Sequence, residues 1–255
     1  MNKFRFWATL LDAYDNFVNS ETIWEQYWGW SEKPPHTPEQ FKALQKQSLV
    51  DSINRVDGEP SKAADRGTCF NEVIDCLILN QPTKRDDITI AGDKERGVIV
   101  AQMDGFTFEF PTDLCRQFAA QYTQNGAKAV PQFRCEGVLH LSTADVTLYG
   151  YIDELMPYGV HDIKTTKSYT VGKFRNHWQH RVYPYCLGQM GIRSDYFQYD
   201  VVEFSGKQIS TYKEFYPTFD KGKIEVELER QCTELIAFIN DNIADIDRST
   251  TTIFG

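Results

Sequence analysis

Apolar and polar residues alternate along the middle of the chain, which predicts a group of β-strands. A period of two is typical of strands that bury one face and expose the other. Central strands are predicted over residues 130–141, 145–154 and 159–165. Hairpins are predicted over 97–110, with a turn at Asp104-Gly105, and over 196–216, with a turn at Ser205-Gly206-Lys207.

Apolar residues at helical spacing predict a helical N-terminal part, about residues 1–80. One or two short amphipathic helices are indicated by Phe6, Leu10, Tyr14, Phe17, Trp24, Tyr27 and Trp28. A longer helix should begin where Thr37, Pro38 and Gln40 form a capping box, and it should run to about Val56.

Later helices follow from the same spacing and from the turn residues between them. They are predicted over 67–79 after a break at Asp57-Gly-Glu-Pro, over 112–125 between a Thr112 cap and Gly126, over 173–190 around Pro184, and over 219–247. Proline removes a helical hydrogen bond, so the helix around Pro184 should be kinked or locally restricted. The C-terminal helix is expected to be long, with a solvated charged face.

These elements predict one α/β domain over residues 1–255, with a mixed, largely antiparallel central sheet flanked by helices. The chain contains no Gly/Ser tract, long charge block or internal repeat that would mark a second domain. The 97–110 hairpin is then expected to be a decoration on this domain.

The cysteines and the N-terminal segment restrict the cofactor and the compartment. The six cysteines are scattered without a C-x-x-C pair, so neither zinc nor an iron–sulphur cluster is expected. The first residues lack the apolar core of a signal peptide, and no apolar run approaches the length of a membrane span. We therefore expect a cytoplasmic protein that does not associate with membranes.

Two aspartates and a lysine are predicted at neighbouring ends of two central strands. Because side chains alternate along a strand, Asp162 and Lys164 should share a face while Ile163 points into the core. Asp153, Asp162 and the Ile163 backbone carbonyl are hard oxygen ligands that suit Mg²⁺ or Mn²⁺. Such an ion polarises a phosphate and acidifies bound water, and Lys164 can hold that water. The alternative is a pair of turn aspartates beside a solvated lysine.

The segment from Ile163 to Ser194 is basic in a chain whose formal net charge is −9. It contains no Asp or Glu, so we expect a narrow positive track beside the carboxylates. DNA contacts are expected from Lys167, Lys173, Arg175 and Arg181. Gln179 and Tyr183 lie four residues apart on the same segment, so both can reach the site from one helix face.

The order Gly-x-Ile-Asp153, Asp162-x-Lys164 and Gln179-x-x-x-Tyr183 resembles the PD-(D/E)XK nuclease superfamily, specifically its RecB-like exonuclease branch. Each motif is short, but their order and spacing together are fairly specific. The resemblance implies a restriction-endonuclease-like core in which the two aspartates bind one or two divalent ions. It also implies that Lys164 assists the nucleophilic water, and that Gln179 and Tyr183 order the site and the DNA backbone.

The family also places a ligand on an early helix, usually in a Gly-x-x-x-His pattern. The resemblance covers residues 136–199 well and the region near Gly67 loosely, where Asn71 occupies the histidine position. Glu72 is the neighbouring alternative, about 100° round the helix, and Asp75 lies one turn beyond Asn71. Asn71 or Glu72 is therefore expected as an additional metal ligand. An ordinary polar helix face is the alternative interpretation.

The resemblance implies a divalent-metal-dependent DNA nuclease, in particular an exonuclease acting on linear DNA in phage or bacterial recombination or repair. A phage recombination protein would then be a partner, and the cytoplasm of a bacterial host cell would be the compartment. Two alternatives stay open. One is a catalytically weak nuclease fold that binds DNA or a partner, and the other is a structure-specific or restriction-type endonuclease.

Overall fold

A computed structural model describes residues 2–58, 61–124, 126–206, 208–218 and 220–255. Within them the chain forms an α/β fold in which helices flank a mixed six-stranded sheet. The predicted features at Glu59-Pro60, Asn125, Lys207 and Phe219 lie outside the described residues. None of the described helices combines the length and the apolar character that crossing a lipid bilayer requires.

The strands are β1 (Asn2–Trp7), β2 (Thr89–Asp93), β3 (Val98–Met103), β4 (Phe106–Pro111), β5 (Thr123–Gln124), β6 (Ala127–Lys128), β7 (Val130–His140), β8 (Ala144–Met156), β9 (Tyr158–Thr166), β10 (Ser194–Ser205) and β11 (Gln208–Pro217). The helices are α1 (Ala8–Val18), α2 (Ser20–Trp28), α3 (Pro38–Asn54), α4 (Lys62–Leu79), α5 (Thr112–Gln121), α6 (Gln179–Gln189) and α7 (Lys221–Asp241), with a short 3-10 turn at Ile243–Asp245. The main sheet has the order β1-β8-β9-β10-β11, and β7 pairs with β8. β1 is parallel to β8 and β9 is parallel to β10, whereas the other pairs are antiparallel.

One edge of β8 has an unpaired stretch, and this stretch positions the candidate site. β7 covers the other edge, opposite residues 145–155. On the first edge, β1 pairs with residues 144–149 and β9 pairs only with residues 154–156. Within the described residues, positions 150–153 therefore have no partner strand on that edge. β8 and β9 diverge there, which leaves room for side chains between them.

The buried apolar side chains form two clusters on opposite faces of the sheet. The first packs α1, α3, α6 and α7 against the sheet. The second lies between α4, α5 and the small sheet of β2, β3 and β4. Val201 belongs to the first cluster and Val202 to the second, because successive residues of a strand face opposite sides. The diverging ends of β8 and β9 thus lie between two separate cores.

The predicted start of α3 and the predicted 97–110 turn are confirmed. Thr37 Oγ1 accepts a hydrogen bond from the Gln40 N–H at 3.2 Å, and Gln40 Oε1 accepts one from the Thr37 N–H at 2.9 Å. Asp104 and Gly105 have φ values of 51° and 77°, as a tight hairpin turn requires. The three central strands also match their predicted limits within two residues.

The prediction misses four strands, namely β1, β2 and the two-residue strands β5 and β6. Residues 2–7 form β1 and not the start of a helix, because Phe4 and Phe6 alternate with Lys3 and Arg5 and bury one face against β8. The chain then enters α1 directly, without a turn residue to mark the boundary. β2 extends the predicted hairpin to three strands, although its residues are mostly exposed and show little alternation.

Three predicted helices are shorter than expected. α7 ends at Asp241 and not near Asp247. α5 ends at Gln121, and Gly126 lies between β5 and β6 with a φ of 80° instead of closing the helix. α6 begins only at Gln179, because residues 173–178 form turns with backbone bonds of three-residue span. Arg175 therefore lies in a turn and does not share a helical face with Gln179.

Candidate active site

Asp153 belongs to β8, and its carboxylate lies in the gap between β8 and β9. There the carboxylate replaces the backbone carbonyl that would accept a hydrogen bond in a paired sheet. Its Oδ2 accepts a hydrogen bond from the Ile163 N–H at 2.9 Å. The same oxygen accepts a second bond, from Asn71 Nδ2 at 3.2 Å. The first bond holds the carboxylate beside β9, and the second connects α4 to the sheet.

Asp162, Lys164, Gln179 and Tyr183 form one buried network. Lys164 Nζ lies 2.7 Å from Asp162 Oδ2 and donates to Gln179 Oε1 at 2.7 Å. Gln179 Nε2 donates to Asp162 Oδ1 at 2.5 Å and to the Tyr183 hydroxyl at 3.3 Å. Ile163 packs in the opposite core, as strand alternation predicts. The structure therefore brings the predicted aspartate, lysine, glutamine and tyrosine together.

Two glycines allow the flanking helices to approach the sheet closely. A Cβ at Gly150 of β8 would overlap the Tyr183 ring of α6. A Cβ at Gly67 of α4 would lie 3.2 Å from Thr165 Oγ1 of β9. The short approach at Gly150 lets α6 place its polar side chains at Asp162, and the approach at Gly67 places the next turn of α4 at Asp153.

The site concentrates negative charge that the protein neutralises only in part. Burial and the nearby Asp162 carboxyl raise the pKa of Asp153 to about 8, against the lowering effect of Lys164. Burial also raises the pKa of Asp162. Burial disfavours the charge of Lys164, but the two carboxylates outweigh it and raise the pKa of its ammonium. One lysine thus faces two desolvated carboxyls, and a further cation would stabilise both of them as carboxylates.

The oxygen atoms around Asp153 fit a hard divalent cation. Among the described residues, Asn71 Oδ1 is buried without a hydrogen-bond partner, and Asp162 Oδ2 is contacted through its ion pair with Lys164. Carboxylate, amide and backbone oxygens are the donors that Mg²⁺ and Mn²⁺ prefer. The described part of the chain holds no metal-binding group of three or more His, Cys, Asp or Glu side chains. A site here therefore needs the Asn71 amide and the Ile163 carbonyl as well as the two aspartates.

Asn71 is the residue of α4 that contacts Asp153. Glu72, the alternative ligand, points elsewhere and accepts a hydrogen bond from Thr83 Oγ1 at 2.6 Å. Asp75 accepts one from Gln132 Nε2 at 3.2 Å. The geometry therefore favours Asn71 over Glu72 as the additional ligand.

The predicted DNA-binding residues occupy different environments. Lys167 and Arg175 are exposed. Lys173 is also exposed, and its Nζ donates to Thr166 Oγ1 at 2.6 Å and to the Ser168 carbonyl at 2.7 Å. Lys173 thus fastens the segment after β9 while its side chain faces solvent.

Arg181 has a structural position instead of an exposed one. Its Nε lies 2.6 Å from Glu227 Oε2 of α7, and its guanidinium lies over the Trp178 ring at 4.9 Å. The ion pair connects α6 to α7. Arg181 is therefore less free to contact DNA than the exposed Lys167, Lys173 and Arg175.

Asp12 of α1 is a component of the site that sequence reasoning missed. Its Oδ1 accepts a hydrogen bond from the Trp178 N–H at 2.7 Å, and its Oδ2 lies 3.4 Å from His177 Nδ1. Its charge also contributes to the raised pKa values of Asp162 and Lys164. Asp12 and Trp178 are 166 residues apart, and one aspartate on an amphipathic helix is no signal of chemistry.

A second carboxyl pair lies next to the site. Glu154 is fully buried. Burial and the neighbouring Asp75 carboxyl raise the pKa of Glu154 to about 10, and burial raises that of Asp75 to about 6. Both shifts favour the protonated form of these buried carboxyls, the shift of Glu154 more strongly than that of Asp75.

Comparisons with known proteins leave the family open. No family model and no curated protein matches this chain. The crystal structure of SSO0001 aligns with 51% of this chain and 59% of its own, at 15% sequence identity and a TM-score of 0.33. The chain thus spans less than two thirds of that protein, and a likeness of this size supports no functional assignment.

Proposed function

We propose that this chain is a divalent-metal-dependent deoxyribonuclease with a restriction-endonuclease-like core, of the RecB-like exonuclease branch of the PD-(D/E)XK superfamily. The observation that carries the proposal is the convergence of Asp153, Asp162 and Lys164 at the gap between β8 and β9. The reaction is hydrolysis of phosphodiester bonds in linear DNA.

Lys164 is the residue best placed to orient the attacking water. Its ammonium is held by Asp162 and Gln179, while 23% of its side chain stays exposed. A fixed positive charge there favours the negative charge that develops on the phosphate oxygens during attack. Gln179 holds Lys164 and Asp162 in position, because its side-chain amide contacts both of them and also the Tyr183 hydroxyl.

Asp153, Asp162, Asn71 and the Ile163 carbonyl would hold Mg²⁺ or Mn²⁺. When bound, such an ion supplies Lewis-acid activation of the phosphate. Burial and the Asp162 carboxyl raise the pKa of Asp153 to about 8, so binding of the ion would be coupled to loss of a proton from Asp153. The two carboxylates suit one ion between them, and the neutral Asn71 makes a second ion weaker.

The resemblance supports a role in phage or bacterial recombination or repair, in the cytoplasm of a bacterial host cell. DNA would be the main partner, approached by the exposed Lys167, Lys173 and Arg175. A phage recombination protein would be a further partner in that setting.

Replacing Asp162 or Lys164 by alanine tests the proposal. The wild type should shorten end-labelled linear DNA in Mg²⁺ or Mn²⁺ and stop in EDTA. Asp162→Ala and Lys164→Ala should each lose roughly 100-fold or more in rate, as when a charge-stabilising group is removed. Lys223→Ala is the matched control, because the Lys223 side chain lies on the exposed face of α7. Thermal melting verifies that every variant is folded. Full activity in either site variant would contradict the proposal.

A second candidate function is a nuclease-fold protein that binds DNA or a partner with little catalysis. Asn71 at a position where the family has histidine, and the net charge of −9, favour it. Such a protein would retain labelled DNA in EDTA and leave it intact after long incubation with Mn²⁺.

A third candidate is a structure-specific or restriction-type endonuclease, which would share the same catalytic residues. Closed circular DNA separates it from the exonuclease, because a circle offers no end. Linearisation of the circle would favour the endonuclease, and degradation of linear DNA alone would favour the exonuclease.

A further inference from the structure

A groove of about 570 Å³ lies between the start of α4, strand β4 and the end of β10. Three cationic side chains line it: Lys62 and Arg66 from α4, and Lys167 from the segment after β9. Lys62 and Lys167 are exposed, and Arg66 is half-buried. The sequence predicts a DNA contact from Lys167 and none from the two cations of α4.

Nearby carboxylates do not neutralise these three cations. Among the described residues, no carboxylate forms an ion pair with Lys62, Arg66 or Lys167. Glu109 also lines the groove, but its carboxylate is paired with Arg96 at 2.8 Å. A local excess of positive charge in a chain of net charge −9 favours a polyanionic ligand.

Aromatic rings restrict the two cations of α4. Lys62 Nζ lies 5.9 Å from the centre of the Phe106 ring, and Arg66 Cζ lies 5.5 Å from that of Phe204. Phe204 in turn packs edge-on against Phe70 in the second core, at 6.0 Å. The cations therefore stand on a rigid base, which lowers the entropy lost when they bind a ligand.

The floor of the groove does not suit base stacking. Phe108 and Phe110 line it, but they are only 5% and 1% exposed and are packed within the second core. Stacking of bases requires an open ring face. Phe204, which also lines the groove and is half-buried, already carries the Arg66 guanidinium over its ring. The groove therefore offers positive charge more than a stacking platform, which fits a sugar–phosphate backbone.

The groove also lies at a defined distance from the candidate active site. Arg66 and Lys62 precede Asn71 by five and nine residues of α4, which is roughly 7–14 Å along the helix axis. Lys167 follows Lys164 by three residues, roughly 10 Å along an extended chain. One strand of DNA advances about 3.4 Å per nucleotide, so these lengths correspond to roughly two to four nucleotides.

We propose that Lys62, Arg66 and Lys167 bind the backbone of one DNA strand about two to four nucleotides away from the phosphate at Asp153 and Asp162. The location of the cleaved phosphate rests on the proposed function, whereas the groove itself does not. Binding there is independent of base sequence, since the contacts are to phosphates.

Salt-dependent DNA binding tests the groove. A fluorescein-labelled strand of about 16 nucleotides is titrated by anisotropy in EDTA, over a series of salt concentrations. The slope of log Kd against log salt should decrease by about 0.7 for each cation lost in Lys62→Gln, Arg66→Gln and Lys167→Gln. Two controls should keep the wild-type slope. Arg66→Lys keeps the charge in the groove, and Lys223→Gln removes a charge on the exposed face of α7.

Cleavage of strands of different length supplies the second readout. If the wild type cleaves DNA, the loss of rate in Lys62→Gln/Arg66→Gln should be largest for long strands and should diminish as they shorten to a dinucleotide. Binding without cleavage would refute the nuclease and support the groove. Cleavage by the wild type, together with an unchanged salt slope in the variant that carries Lys62→Gln, Arg66→Gln and Lys167→Gln, would refute the groove alone. A wild type that shows no salt-dependent binding would also refute the groove.

Discussion

At the scale of single residues, the Asp153 carboxylate combines a structural role with a chemical one. It accepts the Ile163 N–H that the diverging strands leave without a ladder partner, and the charge of the nearby Asp162 acts on it. Hydrogen bonds to a charged acceptor contribute about 1.5–3 kcal/mol. The ionised carboxylate nevertheless conflicts with burial and with Asp162, which is why its pKa is raised. A site that is electrostatically unfavourable without metal is prepared to bind a cation.

Asp153→Asn tests this conflict, because asparagine still offers an oxygen to the Ile163 N–H. The pKa of Asp153 rises from 3.8 to about 8 on folding, so between these values the folded state holds a proton that the unfolded chain has lost. As the pH rises, the free energy of unfolding of the wild type should therefore fall relative to that of the variant. The fall should be at most about 1.4 kcal/mol per pH unit.

Urea denaturation in EDTA, repeated between about pH 4 and pH 9, measures this difference. The gap between variant and wild type should widen up to about pH 8 and then stay constant. Saturating Mg²⁺ should reverse it, because only the wild type retains both carboxylate ligands. Asp241→Asn, at the exposed end of α7, should follow the wild type. If the unfolding free energies of Asp153→Asn and of the wild type changed in parallel with pH, the electrostatic account would be contradicted.

At the scale of elements, the site depends on how closely α6 packs on β8. Gly150 permits the Tyr183 ring to lie directly against the strand. The Tyr183 hydroxyl accepts a bond from Gln179, and Gln179 contacts both Asp162 and Lys164. A displacement of α6 would therefore reach Lys164 through one amide side chain.

Gly150→Ala is expected to displace α6. The added methyl overlaps the Tyr183 ring, and overpacking of this kind destabilises by about 1–3 kcal/mol. Cleavage should fall by more than the loss of folded protein explains, since Gln179 moves away from Lys164. Gly92→Ala in β2 is the control, because nothing lies within 4 Å of its added Cβ. Unfolding free energies and cleavage rates that match the wild type would refute the packing argument.

The parts of the site that follow from local sequence patterns were predictable. The parts that depend on contacts between distant residues were not. Asp162 and Lys164 follow from a period of two within one strand, and Gln179 and Tyr183 follow from a period of four. The unpaired edge of β8 was not predictable, because it exists only where β1 and β9 stop pairing with the same strand. Asp12 was missed for the same reason, since its contact with Trp178 joins residues that lie 166 positions apart in the sequence.

At the scale of the whole molecule, the candidate site lies where two cores meet. Strands β8 and β9 carry the aspartates, α6 approaches from the first core, and α4 brings Asn71 from the second. The groove is lined by the start of α4, which carries Asn71, and by Lys167, which follows Lys164 by three residues. Its cations, in a body of net charge −9, would guide a polyanion toward the gap and discourage binding elsewhere.

A crystal structure with Mn²⁺, located by its anomalous scattering, tests the central claim most directly. We expect a peak in the gap between β8 and β9, about 2.1 Å from carboxylate oxygens of both Asp153 and Asp162. Lys164 should remain next to this ion, and the Asn71 amide oxygen should face it. Contradiction would come from crystals, grown under conditions that support DNA cleavage, in which Mn²⁺ binds elsewhere and the gap holds none.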